Sequence, residues 1–223
     1  FLLKKVPISL TLFLIFCCVI VCSTRNLISE YKQKEIKKPS VKLGIDILLE
    51  KKINILKNKR VGLITNQSGV TSNLIPTIDA LYYNESVNLV CLFSPEHGIR
   101  GNRKAGELIE SHTDERTGLP VYSLYGKNKM PTAEAMSQID VLVFDIQDIG
   151  IRTYTYIYTM SYGMEAVAKY DKEFIVLDRP NPLGGVKVEG NVLDPEFKSF
   201  IGRYPIAFRH GMTVGELALS LIH

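Results

Sequence analysis

At 223 residues, with 46% hydrophobic and 22% charged residues, the chain can build one domain with a substantial core and is too ordinary in composition for a disordered or multi-span membrane protein. Its net charge of +4 marks no nucleic-acid partner. Residues Arg25 to Lys42 alone carry six Lys and Arg against two Glu, so the excess sits in a basic linker rather than on a folded face.

Ahead of that linker, Lys4-Lys5 precede an apolar run from Ile8 to Cys22 that only Ser9 and Thr11 interrupt. A charge followed by about 15 apolar residues, short of the ~20 that span a bilayer, is the layout of a secretory signal, with an uncleaved anchor as the competing reading. The folded part is expected outside the cytoplasm, periplasmic or at the cell surface, touching membrane only through this segment. Val19-Ile20-Val21-Cys22 also resembles a lipoprotein cleavage site, with Val21 where a small residue is preferred. Cys17, Cys18 and Cys22 fall in the export segment, and the remaining Cys91 lies in an apolar run, so it is expected to be a small buried hydrophobe.

From Leu43 to Leu56 the apolar residues Ile45, Leu48, Leu49, Ile53 and Leu56 recur at helical spacing and predict a leading helix. Strands are predicted at 60–65, 87–93, 121–124, 140–144 and 173–177, and helices at 75–83, 132–138 and 155–170. The strands are continuous apolar runs that alternate with helices, which predicts an α/β fold with a parallel sheet covered on both faces. Residues 180–209 are rich in Pro, Gly and Asn without a period, and predict a long functional loop or the start of a second lobe. Thr213-Val-Gly-Glu216 before Leu217 predicts a helix opened by a capping box. The domain plan is therefore an export segment at 1–22, a linker at 23–42, an α/β domain at 43–180 and the beginning of a second lobe at 181–223. The chain opens on Phe1 and closes inside its last predicted helix, and is expected to be a piece of a longer one.

In open parallel sheets ligands bind beyond the carboxyl ends of the strands. The four longer strands release Thr65-Asn66-Gln67-Ser68-Gly69, Ser94-Pro95-Glu96-His97-Gly98, Asp145 through Arg152, and Asp178-Arg179-Pro180-Asn181-Pro182, all polar. Glu96, delivered to the rim after a rigid Ser-Pro, reads either as a general acid or as a capping or salt-bridged carboxylate. His97 is a ligand, a base or a loop histidine. Asp145 and Asp148 with Arg152 suit a metal, sugar hydroxyls or a structural ion network, and the last two fit better because no HExxH or paired-histidine spacing accompanies them. Neither a metal nor a cofactor is expected. In the helix beginning near Thr155, Tyr158, Ser161, Tyr162 and Glu165 share a side that suits either the face of a sugar or a helix–sheet contact. No GxSxG elbow, GxxxxGK[ST] loop or GxGxxG after the first strand is present, which disfavours a nucleotide- or sugar-phosphate-using transferase.

Six stretches in order carry a resemblance: Val61 to Gly69, Leu92 to Gly101, Gly118 to Gly126, Asp140 to Gly150, Val176 to Pro182 and Arg209 to Glu216. Together they resemble the exo-β-N-acetylmuramidases of the NamZ type, glycoside hydrolase family 171, over residues 43–223. The resemblance implies a Rossmann-like domain followed by a smaller one, an active site in the cleft between them, and release of N-acetylmuramic acid from the non-reducing ends of peptidoglycan fragments. By motif it implies Glu96 as catalytic acid, with Glu165 as its partner carboxylate, since glycoside hydrolysis usually needs two. Asn66, His97, Asp145, Arg152, Tyr154, Arg179 and Asn181 are implied to bind the sugar, Arg152 or Arg179 pairing with the lactyl carboxylate of muramic acid. The rival class is an exported lipoprotein that captures muropeptides without cleaving them.

Overall fold

The computed structural model describes residues 41–101, 104 and 110–222. The expected export segment, the linker up to residue 40 and Cys22 lie outside the described residues.

Five parallel strands form the sheet: β1 (Arg60–Thr65), β2 (Asn88–Ser94), β4 (Pro120–Ser123), β5 (Val141–Asp145) and β6 (Glu173–Val176). A two-residue strand, β3 (His112–Thr113), adds an antiparallel edge, giving the order β3-β4-β2-β1-β5-β6. Side chains alternate across a strand, so each inner strand feeds two cores at once. Val61, Leu63, Val141 and Val143 join Ile45, Leu48, Leu56, Ile78 and Leu81 on one face. Ile64, Leu142 and Phe144 join Met136, Ile157, Met160 and Leu217 on the other. Both faces are covered, which is why the strands read as unbroken apolar runs.

The helices on the first face are α1 (Gly44–Ile47) and α2 (Thr77–Tyr82); α1 continues as a wide π turn over Leu48–Lys52 and a tight 3-10 turn over Ile53–Leu56. The second face carries α3 (Ala133–Ser137), α4 (Tyr156–Tyr170) and α5 (Val214–Ile222). Thr132 caps α3 by accepting the Ala135 N–H. Gly163 lies inside α4 because a Cβ there would stand 2.9 Å from Ile64 Cδ1, so its absence lets the helix lie close on the sheet. The capping box at Thr213 is formed as predicted, with Glu216 N–H donating to Thr213 Oγ1 at 3.2 Å and Thr213 N–H to Glu216 Oε2 at 2.9 Å. Cys91 is fully buried, and burial pushes its thiol up to about 12.

Residues 181–222 build no separate core among the described residues, since Val214, Leu217 and Ala218 of α5 belong to the sheet's second core. The unpatterned stretch before them contains an antiparallel pair, β7 (Glu189–Val192) with β8 (Ala207–Arg209). It is fastened to the loop after β5 by Arg152 N–H to Phe208 O at 2.8 Å and by an Ile151–Arg209 bridge. After β1 the chain moves to β2 on one side, whereas β5 lies on the other. The carboxyl ends of β1 and β5 therefore flank the switch point, where such sheets open a binding crevice.

Candidate active site

The turn after β2 presents Glu96 at this crevice. His97 and Gly98 both adopt positive φ, 72° and 79°. Glycine does so freely, but for a residue with a Cβ the left-handed region costs about 1–2 kcal/mol, and it persists only where the surroundings fix it. Arg100 supplies that fixing. Its Nε and Nη2 reach Asp114 at 3.2 and 2.9 Å, and its Nη1 reaches Asp79 at 3.2 Å. Burial works against the Arg100 charge, but the two aspartates outweigh it and raise its pKa. Burial likewise opposes ionisation of Asp114, and the bonds from Arg100 and Thr117 overcome it and hold that carboxyl below its usual range.

Three hydroxyls surround Glu96. Thr155, the residue before α4, donates through Oγ1 to Glu96 Oε2 at 3.2 Å. The half-buried Tyr125, just past β4, has its phenol pushed up by burial and by the facing Glu96 carboxylate. Tyr156 is pushed up chiefly by burial, with Glu96 adding to the shift and Asn66 opposing it. Asn66 is only 2% exposed. Its Oδ1 accepts from Ser68 N–H at 2.9 Å and from Ser68 Oγ at 2.6 Å, and because a backbone N–H can only donate, this fixes which way the amide points. Asn66 Nδ2, buried and without a hydrogen-bond partner of normal geometry, is the group left for a ligand.

The other residues singled out from sequence divide into those at this crevice and those that build it. Asp145 is buried and accepts from Thr77 Oγ1, from Arg179 Nε at 2.6 Å and from Arg179 Nη2 at 2.9 Å; the same Nη2 also donates to Val70 O at 2.8 Å. Arg152 spends Nη1 on two backbone carbonyls, Asn191 O and Ile206 O, both at 2.7 Å. Neither arginine is thus held toward a ligand, and Asp145 and Asp148 do not position Arg152. Asp148 instead accepts from Gly150 N–H at 2.7 Å and pairs at 3.2 Å with Nε2 of the buried His210. Met212 N–H donates to Nδ1 of that ring, which assigns its proton to Nε2. Asn181 joins two loops, donating to Met212 O and accepting from Leu183 N–H, both at 2.9 Å. Tyr154 is 46% exposed at the rim.

Glu165 is not brought to Glu96. Along α4 its backbone lies ten residues, about 15 Å at 1.5 Å per residue, from that of Thr155, whose hydroxyl holds Glu96. It accepts from Arg203 Nη2 at 2.8 Å and from Tyr204 at 3.3 Å. The side of α4 assigned to it is not a surface stripe either, because Tyr158 and Ser161 are buried, with Tyr158 donating to Arg152 O at 2.6 Å. Tyr125, Thr155, Tyr156, Arg100 and His210 were not among the site residues expected from sequence. Tyr125 stands just beyond the carboxyl end of β4, one of the two shortest parallel strands at four residues, so the rule that found Glu96 finds it too when short strands are included.

Residues 61–222 match the family described as exo-beta-N-acetylmuramidase NamZ, N-terminal. The chain is 55% identical over 187 residues to the peptidoglycan beta-N-acetylmuramidase NamZ of Bacillus subtilis (strain 168), an alignment that covers 84% of this chain and 45% of that protein. Two crystal structures of DUF1343 family proteins from Bacteroides fragilis NCTC 9343 share the fold. One has a TM-score of 0.75 at 55% identity, over 81% of this chain and 45% of that one. The other has a TM-score of 0.70 at 41% identity, over 82% and 46%. The chain spans about half the length of these relatives. With the match running from β1 through α5, and the Glu96 crevice inside it, the chain belongs to the NamZ exo-β-N-acetylmuramidase family through its N-terminal region.

Proposed function

We propose that the protein, at the length of its relatives, is an exo-acting glycoside hydrolase that releases N-acetylmuramic acid from the non-reducing ends of peptidoglycan fragments. The observation that carries this reading is Glu96 itself. It is a carboxyl group set by a strained, clamped turn at the switch point of the sheet, hydrogen-bonded by Thr155 and flanked by two tyrosines. General acid catalysis needs such a group at a fixed position beside the leaving oxygen. The peptidoglycan substrate is supported by the name of the Bacillus subtilis relative. Lys4-Lys5 and the apolar run after them support action outside the cytoplasm, where peptidoglycan lies.

A chromogenic β-glycoside of N-acetylmuramic acid, offered to the protein at the length of its relatives and to its Glu96→Gln variant, tests the reading. Hydrolysis by the first and at least about a hundredfold less by the second is expected. Binding of muropeptides without hydrolysis by either would replace the enzyme with a capture protein.

A further inference from the structure

A secondary amide such as the 2-acetamido group of the proposed substrate offers one acceptor, its carbonyl oxygen, and one donor, its N–H. Beside Glu96 the protein holds the complementary pair. Asn66 Nδ2 is a buried donor without a partner of normal geometry, aimed by the two Ser68 bonds that occupy its Oδ1. The Tyr156 hydroxyl, which interacts with both Asn66 and Glu96, supplies an oxygen that can accept. A buried amide donor left unmatched costs about 1–3 kcal/mol, so the site gains by matching it with a ligand. Among the described residues, the acids that sequence placed near Glu96 have partners elsewhere: Asp145 in Arg179 and Thr77, Asp148 through Oδ2 in Gly150 and His210, with its buried Oδ1 left without a hydrogen-bond partner, and Glu165 in Arg203 and Tyr204.

We propose that the nucleophile is the substrate's own acetamido oxygen, with Asn66 donating to that oxygen and Tyr156 accepting from the acetamido N–H, and that Glu96 serves as acid and then base. The inference rests on the function proposed above and names how that site works. In the first step the acetamido oxygen bonds to C1 as the C1–O bond to the leaving sugar breaks, and the Glu96 carboxyl gives its proton to the departing oxygen. In the second step water bonds to C1 and loses a proton to the Glu96 carboxylate. The C1–O bond to the acetamido group breaks as that water bonds, and the amide is restored. Two displacements at C1 leave its configuration unchanged, so a β-glycoside yields the β sugar first. The same constellation sets the substrate class, because a glycoside with a free 2-amino or 2-hydroxyl group has no such nucleophile.

The test uses the protein at the length of its relatives with aryl β-glycosides of muramic acid carrying acetyl, fluoroacetyl, difluoroacetyl and trifluoroacetyl groups on the amine. Each fluorine draws electrons from the carbonyl oxygen, so kcat is expected to fall stepwise along the series. The first product seen by proton NMR is expected to be the β anomer. Tyr156→Phe and Asn66→Ala are expected to lower kcat about tenfold or more, the effect of one lost hydrogen bond at the reacting group. The fluorine series and the anomer are read on the unaltered protein, so misfolding of a variant does not decide the matter. An α product, a kcat indifferent to fluorination, or a sugar trapped covalently on a tyrosine or carboxylate would overturn the inference while leaving the proposed function standing. No hydrolysis of any member would remove both.

Discussion

Arg179 and Asp145 face each other through two hydrogen bonds, at 2.6 and 2.9 Å, where the arginine side chain is 4% exposed and the carboxylate not at all. The pair joins the ends of β5 and β6 directly beneath the crevice. Removing one partner strands a buried charge, a loss of about 3–5 kcal/mol, whereas replacing both by apolar residues of similar volume is often neutral. Arg179→Met is therefore expected to lower the melting temperature by on the order of 10 °C, with Asp145→Leu/Arg179→Met recovering much of it. Calorimetry on the two variants checks this. A double variant less stable than the single one would show that the pair is not an isolated structural unit.

The Thr155 hydroxyl holds Glu96 Oε2 but bears no charge and gives no proton in the proposed reaction. Thr155→Val is expected to lower kcat by roughly tenfold, less than Glu96→Gln, and Thr155→Ser to restore it. Steady-state kinetics of the three variants decide it. A loss in Thr155→Ser with none in Thr155→Val, which keeps the methyl group, would assign the role to that group's packing.

Arg152 fastens the β7–β8 pair through two carbonyls and its own backbone rather than facing the crevice. Arg152→Met is thus expected to reduce turnover of muramic acid and glucosamine glycosides by the same factor and to expose 189–209 to proteolysis. A selective loss on the muramic acid glycoside would return Arg152 to the role of reading the lactyl carboxylate.

Asp114 is held below the usual carboxylate range because its bonds to Arg100 and Thr117 outweigh burial. A carboxyl whose folded pKa is depressed contributes stability above its unfolded pKa and loses it as pH falls through the folded one. Asp114→Asn is therefore expected to be less stable than the parent at neutral pH, with the gap closing as pH drops below about 4. Melting curves between neutral pH and about 3 show it. Since Arg100 clamps the Glu96 turn, the variant should lose turnover at neutral pH as well.

Much of the sheet was legible because its strands are buried on both faces. Val61 to Ile64 and Val141 to Phe144 carry that burial as unbroken apolar runs, and β1 extends one residue beyond its run at each end. The β7–β8 pair was not legible: all four residues of β7 are exposed and Gly190 sits against Phe208, so no alternation marks the strand. At the crevice, position along a strand located Glu96 and Asn66. It was silent on which acids and arginines neutralise one another, because Asp145–Arg179 and Asp148–His210 are separated by 34 and 62 residues in the chain. Glu165 shows the same limit, since its helix was foreseen but the distance along it was not set against that to Glu96.

Thr155 stands where a helix usually receives a side-chain cap, yet its hydroxyl turns to Glu96 and the helix begins uncapped. A cap at that position is generally worth about 0.5–2 kcal/mol. Heat resistance and turnover therefore pull this one residue in opposite directions. Selection for a higher melting point would favour an aspartate that caps α4 and sets a second negative charge beside Glu96, while selection for speed would favour the hydroxyl. Position 155 is where a thermostabilised descendant of this protein would first forget its chemistry.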